Sequence, residues 1–180
     1  MAIKKAITQS QIISNSCNSC FKIRVINNKI MPTLQWTYKS FAELTNTELY
    51  AILQLRIAIF SVEQNCPYQD ADNKDFQSFH LAAWDDDILV AYCRILPPGL
   101  SFKEGSIGRV VTTANYRKNG TGRLLMQKAI TLTIQQFNCS QITIGAQLYL
   151  KKFYNSLGFN QVSDTYREDG IPHIEMRYTA

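Results

Sequence analysis

The hydrophobic pattern from residue 33 onward alternates between segments typical of strands and segments typical of helices. Six segments are rich in β-branched, aromatic and aliphatic residues, a composition that favours strands. They are residues 33–41, 79–84, 88–96, 106–113, 141–145 and 173–178. Residues 85–87 are a polar turn, which makes a hairpin of the second and third segments, and a weaker strand is predicted to begin at residue 162.

Besides a short helix or loop at residues 63–75, three helices are predicted between these strands, because apolar residues recur at spacings of three and four. The first follows Thr45, which has the spacing of a capping box with Glu48. The second covers residues 120–137 and is apolar over so much of its surface that we expect it to lie buried against a sheet. The third covers residues 150–157 and ends at Gly158, a typical C-cap.

The order β-α-α-β-β-β-α-β-α-β-β predicts a mixed α/β (α+β) fold, in which helices flank a central, mostly antiparallel sheet. Residues 31–180 are expected to form this single domain. Residues 1–30 are predicted to be a flexible basic extension, since they lack an apolar period and are rich in Ser, Asn, Gln and Lys. A transit-like peptide and an upstream extension of the reading frame before Met31 are both compatible with that composition.

The positive charge of the chain is confined to its start. Residues 1–35 contain five basic and no acidic residues, whereas the remainder contains 14 of each, so the net charge of +5 comes from the leading segment. A nucleic-acid-binding domain needs clustered positive charge on its surface, so no nucleic-acid partner is expected. No apolar segment approaches the roughly 18 residues needed to span a membrane, so no membrane role is expected either.

The five cysteines are an odd number without a repeated spacing. They predict free thiols and a reducing, cytoplasmic location. Cys17 and Cys20 form a C-x-x-C pair, but neither a βαβ context nor a second ligand pair is nearby. We interpret this pair as incidental.

The loop before the long helix combines glycines with basic residues. Gly120 and Gly122 lack side chains that would keep an anion from the backbone amides, and a helix N-terminus carries a partial positive charge of about +0.5. Arg117 and Arg123 can add charge-assisted hydrogen bonds. Because neither the G-x-x-x-x-G-K-[ST] nor the G-x-G-x-x-G nucleotide pattern is present, the loop predicts a site for a pyrophosphate or similar anion outside those two classes.

Two runs resemble motifs of the GNAT acyltransferase superfamily. Arg117-x-x-Gly120-x-Gly122 matches the [RQ]-x-x-G-x-[GA] signature, and residues 153–159 match F-Y-x-x-x-G-F. Further runs resemble the ElaA-like branch of that superfamily. They lie at residues 55–56, 60–68, 70–72, 107–110, 145–147 and 166–174. The sequence departs from the branch where Lys118 or Asn119 replaces a usual Gly, and again at Asn73.

The resemblance implies a GNAT fold and direct transfer of an acetyl group from acetyl-CoA to an amine, with both substrates bound together and without a metal. It places the pantetheine arm and the acetyl carbonyl against the backbone of Val110, Val111 and Thr112. The pyrophosphate would be wrapped by Arg117, Lys118, Asn119, Gly120, Thr121, Gly122 and Arg123. Asn155 is expected to add a further contact to the coenzyme.

Tyr154 would protonate the departing thiolate, although its position on an apolar helix face is also compatible with a core tyrosine. Glu63 is the first candidate for the general base, because it follows an apolar helix end where partial burial could raise its pKa. His80 and His173 are alternatives, since histidine titrates in a suitable range, and a water chain is another. Glu63 could instead pair locally with an arginine such as Arg56 or Arg109.

Residues 63–75 are predicted as a short helix or a loop, and they carry Asp70, Asp72 and Asp75. These acids could attract a cationic amine, or they could form a solvated turn. A calcium site is not predicted, because the Gly and Glu that a calcium loop requires are missing.

Three classes of function compete at this point. The amine acetyltransferase is favoured, with a small-molecule, peptide or protein amine as acceptor. A coenzyme A-binding sensor without turnover is the alternative, but the predicted acid Tyr154 argues against it, and a nucleic-acid-binding module does not fit the neutral body of the chain. The acceptor groove is expected at residues 63–75 and 166–173. The oligomeric state is left open, with a homodimer as one alternative.

Overall fold

A computed structural model gives the fold and describes residues 24–26, 29–31 and 33–180. Most of the predicted extension therefore lies outside the described residues, as do Cys17 and Cys20. The character predicted for that extension stays a prediction.

The chain divides into two units, Met1–Thr33 and Leu34–Ala180. In the first unit, strand β1 (Arg24–Ile26) pairs antiparallel with strand β2 (Lys29–Met31). The second unit contains every other element described below.

An eight-stranded sheet forms the centre of the second unit. Its strands are β3 (Gln35–Ser40), β4 (Phe79–Asp85), β5 (Ile88–Leu96), β6 (Gly105–Thr112), β7 (Gln141–Gln147), β8 (Asn160–Gln161), β9 (Tyr166–Glu168) and β10 (Ile171–Thr179). They follow the order β3-β4-β5-β6-β7-β10-β8, and β9 pairs with β10. All pairings in this sheet are antiparallel except that of β6 with β7. The predicted mixed fold with a mostly antiparallel sheet is confirmed.

The helices are α1 (Asn46–Arg56), α2 (Thr121–Phe137) and α3 (Lys151–Asn155). The predicted capping box before α1 is confirmed: the Thr45 hydroxyl accepts the amide of Glu48 at 3.2 Å, and the Glu48 carboxylate accepts the amide of Thr45 at 2.9 Å.

Beyond Arg56 the helix widens into a π-helical segment, Ile57–Glu63, which the sequence pattern did not predict. Such widening often occurs at functional sites.

An apolar layer covers each face of the sheet, because successive strand residues point to opposite sides. Leu81 and Ala83 of β4 belong to the main core with α2 and α3, whereas Ala82 lies in a second cluster with Ile52 of α1. The buried residues of α2 include Leu125, Met126, Ala129 and Ile130. The expected burial of this long helix is therefore confirmed.

Some features are absent from the part of the chain that the structure describes. No helix there is both long and apolar enough to cross a membrane. Likewise, no three His, Cys, Asp or Glu side chains in it are grouped so that they could hold a metal ion. Cys66, Cys93 and Cys139 are free thiols.

Candidate active site

Strands β6 and β7 separate soon after they begin to pair. Their parallel pairing joins only Gly105 with Ile142 and Ser106 with Thr143. Residues 107–112 of β6 continue without pairing to β7, although both strands extend further. The β7-facing edge of β6 therefore presents backbone groups that need partners. An extended ligand containing amides can pair with such a strand edge.

A β-bulge lies within this free part of β6. The register with β5 shifts between Tyr92 and Arg94. As a result, Cys93 faces two residues, Arg109 and Val110. Arg109 adopts the left-handed region with φ 52°, which few non-glycine residues occupy. The bulge twists the strand at the place where its edge is unpaired.

The loop that follows β6 brings a helix N-terminus to the same place. Gly120 precedes α2 with φ 92°, and a Cβ atom added there would meet nothing within 4 Å. The amides of Gly122 and Arg123 have no acceptor among the described residues, as is usual in a first helical turn. Asn119 Oδ1 accepts the hydroxyl of Thr121 at 2.8 Å. Open space and free amides together make a place for an anion.

Arg117 in this loop and Arg123 in the first turn of α2 both donate hydrogen bonds to groups of the protein. Arg117 donates to both carboxylate oxygens of Glu63 at 2.6 and 2.8 Å, and its Nε donates to the carbonyl of Thr112 at 2.9 Å. Arg123 donates to the hydroxyl and the carbonyl of Ser156. Both guanidinium groups already have partners within the protein, and their contact with an anion stays a prediction.

Tyr154 lies on α3, and only 6% of it is exposed. Burial raises the pKa of its phenol well above the ordinary value, and the neighbouring Cys93 and Tyr149 raise it further. Cys93 is the residue opposite the β6 bulge, so Tyr154 lies on the core side of that bulge. A phenol that stays protonated can act as a proton donor.

Asn155 also lies at the end of α3. With its amide oriented to satisfy its surroundings, the nitrogen donates to the carbonyls of Lys151 and Phe159 at 3.1 and 3.2 Å. The amide nitrogen is therefore used within the protein. The predicted contact of Asn155 with the coenzyme would involve its side-chain oxygen, and it stays a prediction.

Glu63 is exposed at the end of the π-helical segment. The side-chain hydrogen bonds and charge of Arg117 lower the pKa of this carboxyl, although burial acts slightly in the other direction. The expectation that burial raises its pKa is wrong, because the segment leaves the carboxylate in solvent. The local ion pair predicted as the alternative exists, but with Arg117 rather than with Arg56 or Arg109.

His80 lies on β4 with 1% of its surface exposed. Its Nδ1 is 2.8 Å from the hydroxyl of Tyr92, and its Nε2 is 3.2 Å from the carbonyl of Asp75. Burial lowers its pKa. Both ring nitrogens are occupied inside the protein, so the structure removes His80 from the candidates for the general base.

His173 lies half-buried on β10, on the face of the sheet away from α2. It pairs with Gln147, its Nδ1 is 2.9 Å from the carbonyl of Ile171, and its ring stacks on Tyr166 with 6.0 Å between the centroids. His173 is thus the histidine candidate that borders the splayed strands.

Several residues at this face were missed as site residues. Gln147 Nε2 donates to Gln64 Oε1 at 3.0 Å, which joins β7 to the end of the π-helical segment. Gly145 is exposed on β7, and a Cβ added to it would lie 3.3 Å from the Tyr166 hydroxyl. Tyr149 is 71% exposed and carries its hydroxyl near the Glu63–Arg117 pair. One signal in the sequence could have found three of them: Gln64, Gly145 and Gln147 lie in runs that resemble the ElaA-like branch.

Asp70, Asp72 and Asp75 do not form a solvated or steering loop. Their carboxylates bind the guanidinium groups of Arg56, Arg94 and Arg109. Both interpretations offered by the sequence are therefore wrong, because partners 14 to 39 positions away neutralise the three acids.

Comparison with known proteins identifies the family. The sequence profile of the acetyltransferase (GNAT) domain matches residues 57–180. The chain is 42% identical to protein ElaA of Escherichia coli K12 over 145 residues, which is 79% of this chain and 95% of the relative. This chain belongs to the GNAT acetyltransferase family, in its ElaA-like branch.

Solved GNAT structures agree with that assignment. An acyl-CoA N-acyltransferase from Pseudomonas aeruginosa superposes with a TM-score of 0.78 at 42% identity, covering 82% of this chain and 100% of that chain. Escherichia coli ElaA superposes with a TM-score of 0.77 at 40% identity, covering 81% and 99%. The predicted GNAT fold is confirmed.

GNAT proteins use an acyl-CoA as co-substrate, and the residues present here fit one. The unpaired edge of β6 can bind the amides of a pantetheine arm, and the open space beside Gly120 can take a pyrophosphate. Lys118 has φ 61°, a conformation that glycine adopts without strain.

Proposed function

We propose that this protein transfers an acetyl group from acetyl-CoA to an amine of a small molecule, peptide or protein, with both substrates bound at once. One observation carries the proposal: the free edge of β6 leads directly to the open N-terminus of α2, while Tyr154 lies behind the β6 bulge. The assignment to an N-acyltransferase family supports the reaction type.

The acyl donor would bind along β6 and the following loop. The pantetheine amides would pair with the strand edge at Val110, Val111 and Thr112, and the pyrophosphate would accept the free amides of Gly122 and Arg123. These backbone donors are fixed before the substrate arrives, so they need little reorganisation. An amide aimed at the thioester oxygen would stabilise the negative charge that develops there, an effect worth about 3 kcal/mol per donor.

Tyr154 would donate its proton to the sulfur as the carbon–sulfur bond breaks. The phenol is protonated at neutral pH, which a proton donor requires, although its raised pKa makes it a weaker acid than a free tyrosine. The proton goes to the departing thiolate, which leaves as the free thiol of coenzyme A. The amine nitrogen forms the new bond to the acetyl carbon and loses one proton.

The amine would approach across the face formed by β7 and β10. Exposed Gly145 leaves room beneath the Tyr166 hydroxyl, and His173 and Gln147 border that space. His173, or a water molecule held nearby, would accept the proton of the amine. Glu63 would instead hold Arg117 in place, because both of its carboxylate oxygens accept that guanidinium.

A mass-spectrometric screen tests this function. The full chain is incubated with acetyl-CoA and a panel of primary amines, amino acids and peptides, and each reaction is analysed for a product heavier by one acetyl group. Tyr154→Phe is the matched negative control. Acetylated product with the wild type, strongly reduced with the variant, supports the proposal. Binding of acetyl-CoA without product from any acceptor would favour the coenzyme A sensor instead.

A further inference from the structure

Six charged side chains form a closed ring beside the β6 bulge. Their positive and negative groups alternate around it. The order is Arg56, Asp70, Arg109, Asp72, Arg94, Asp75 and back to Arg56, with nitrogen–oxygen distances from 2.6 to 3.3 Å. The proposed reaction uses none of these side chains directly.

Asp70 is the most heavily bonded member of this ring. Its Oδ2 accepts Arg56 Nε at 2.7 Å, and its Oδ1 accepts both Arg109 Nε at 2.7 Å and the hydroxyl of Tyr68 at 2.8 Å. Its carbonyl accepts one further nitrogen from each of the two arginines. Asp70 is 6% exposed and Arg56 is fully buried, so this anchor is held rigidly between α1 and the loop.

Arg109 connects the ring to the acyl-binding strand. It is itself the bulge residue, with φ 52°, and its guanidinium also lies over the ring of Tyr68 at 5.5 Å from the centroid. A non-glycine residue persists in the left-handed region only where its surroundings fix it. The residues that follow it, Val110 to Thr112, carry the backbone groups that the proposed function assigns to the thioester.

We propose that Arg109 is a positioning residue, clamped by Asp70 and Asp72, that fixes the β6 bulge and thereby the backbone amides of Val110–Thr112 against the acyl group. The inference rests on the proposed function for its catalytic consequence. The clamp itself is a property of the folded chain. Arg56 and Arg94 already join α1 and β5 to Asp75, so these elements are held together without Arg109. The inclusion of the bulge residue in the ring therefore indicates a role beyond stabilising the fold.

Two substitutions separate clamping from backbone strain. In Arg109→Gly the left-handed conformation is unstrained, so the bulge can still form, but its anchor is lost. In Arg109→Lys the charge is kept, but the fork that reaches two carboxylates is lost. Arg177→Lys is the matched control, because it weakens the pair between Arg177 of β10 and Glu104, which lies before the start of β6 and five positions from the bulge residue.

Three measurements are compared across these variants. They are hydrogen–deuterium exchange of the peptide that contains residues 107–112, kcat and KM for acetyl-CoA, and the Kd of coenzyme A. For Arg109→Gly we expect exchange at Val110–Thr112 to become at least about 10-fold faster. We also expect kcat to fall about 30-fold, with KM and Kd changed less than about 3-fold, since loss of alignment slows the reaction more than it weakens binding. For Arg109→Lys, we expect an exchange rate and a kcat between those of Arg109→Gly and the wild type.

The inference is overturned if Arg109→Gly melts at a lower temperature but keeps wild-type exchange over residues 107–112 and wild-type kcat. If Arg109→Gly does not fold, Arg109→Lys decides by the same two measurements, with Arg177→Lys as reference. If the wild type acetylates no acceptor, the proposed function has failed, and the exchange of residues 107–112 still tests the clamp.

Discussion

The carboxylate of Glu63 and the guanidinium of Arg117 face each other through two hydrogen bonds of 2.6 and 2.8 Å. Arg117 belongs to the loop before α2, and Glu63 ends the π-helical segment, so the pair joins the proposed coenzyme side of the site to the proposed acceptor side. The arginine also lowers the pKa of the Glu63 carboxyl below its ordinary value of 4.5. Glu63 is therefore ionised throughout the neutral range.

This pair predicts the pH profile of Glu63→Gln. A carboxyl whose pKa is lowered from 4.5 is already ionised at pH 5. Its titration therefore produces no change of rate between pH 5 and 8. We expect kcat to fall by less than about 10-fold and the acid limb of the profile to stay at the same pH. The measurement is kcat against pH for both proteins. Disappearance of the acid limb in Glu63→Gln would restore Glu63 as the general base.

Tyr154→Phe should lower kcat about 100-fold, because a positioned general acid contributes at least that much. The Kd of acetyl-CoA should change less than about 3-fold, since the phenol meets the sulfur only as it departs. Kinetics and calorimetry measure the two quantities separately. Tyr38→Phe is the matched control, because Tyr38 bonds Gln136 at the far edge of the sheet. Weakened binding with normal turnover would contradict the acid role.

Lys118→Gly should stabilise the fold relative to Lys118→Ala. Both variants remove the same charge, but only glycine adopts φ 61° without strain. We expect the free energy of unfolding to differ by about 1 kcal/mol in favour of glycine. Urea denaturation measures this difference. Equal stabilities would show that this position stores no backbone strain.

Asp75→Asn should destabilise the protein by about 3 kcal/mol, because it leaves two buried arginines short of a negative partner. Asp87→Asn, on the exposed hairpin turn, is the control. Burial alone would raise the pKa of Asp75, but Arg56 and Arg94 outweigh it and hold the pKa below 3.8. The contribution of Asp75 is thus complete above pH 3.8 and is lost as the pH falls through the folded value.

Acid denaturation measures this loss. The wild type should lose stability below about pH 4, and Asp75→Asn should show a smaller decrease over the same range. Parallel curves for the two proteins would contradict the assigned role of Asp75.

The elements of the fold followed from local patterns. The predicted hairpin at residues 79–84 and 88–96 is β4 with β5, and the capping box at Thr45 marks the start of α1. These signals involve residues close in sequence, so one chain suffices to find them. The loop at residues 63–75 was predicted less well, because its three acids take partners from α1, β5 and β6.

The site shows the same limit. Gly120 and Tyr154 lie in short motifs, and the structure places them at the N-terminus of α2 and on α3, while their roles stay predictions. The bulge at Arg109 and the pairing of Glu63 with Arg117 depend on side chains up to 54 positions apart. No periodicity encodes such a pair, so the pKa of Glu63 was predicted in the wrong direction.

Calorimetric titration with acetyl-CoA measures whether the unpaired β6 edge and the α2 N-terminus bind an acyl-CoA. Gly120→Glu places bulk and negative charge in the predicted pyrophosphate site. Gly99→Glu is the matched control, since Gly99 also has a positive φ and open space around its Cβ. The wild type and Gly99→Glu should bind acetyl-CoA, whereas Gly120→Glu should not. Unaltered binding by Gly120→Glu would contradict this binding site.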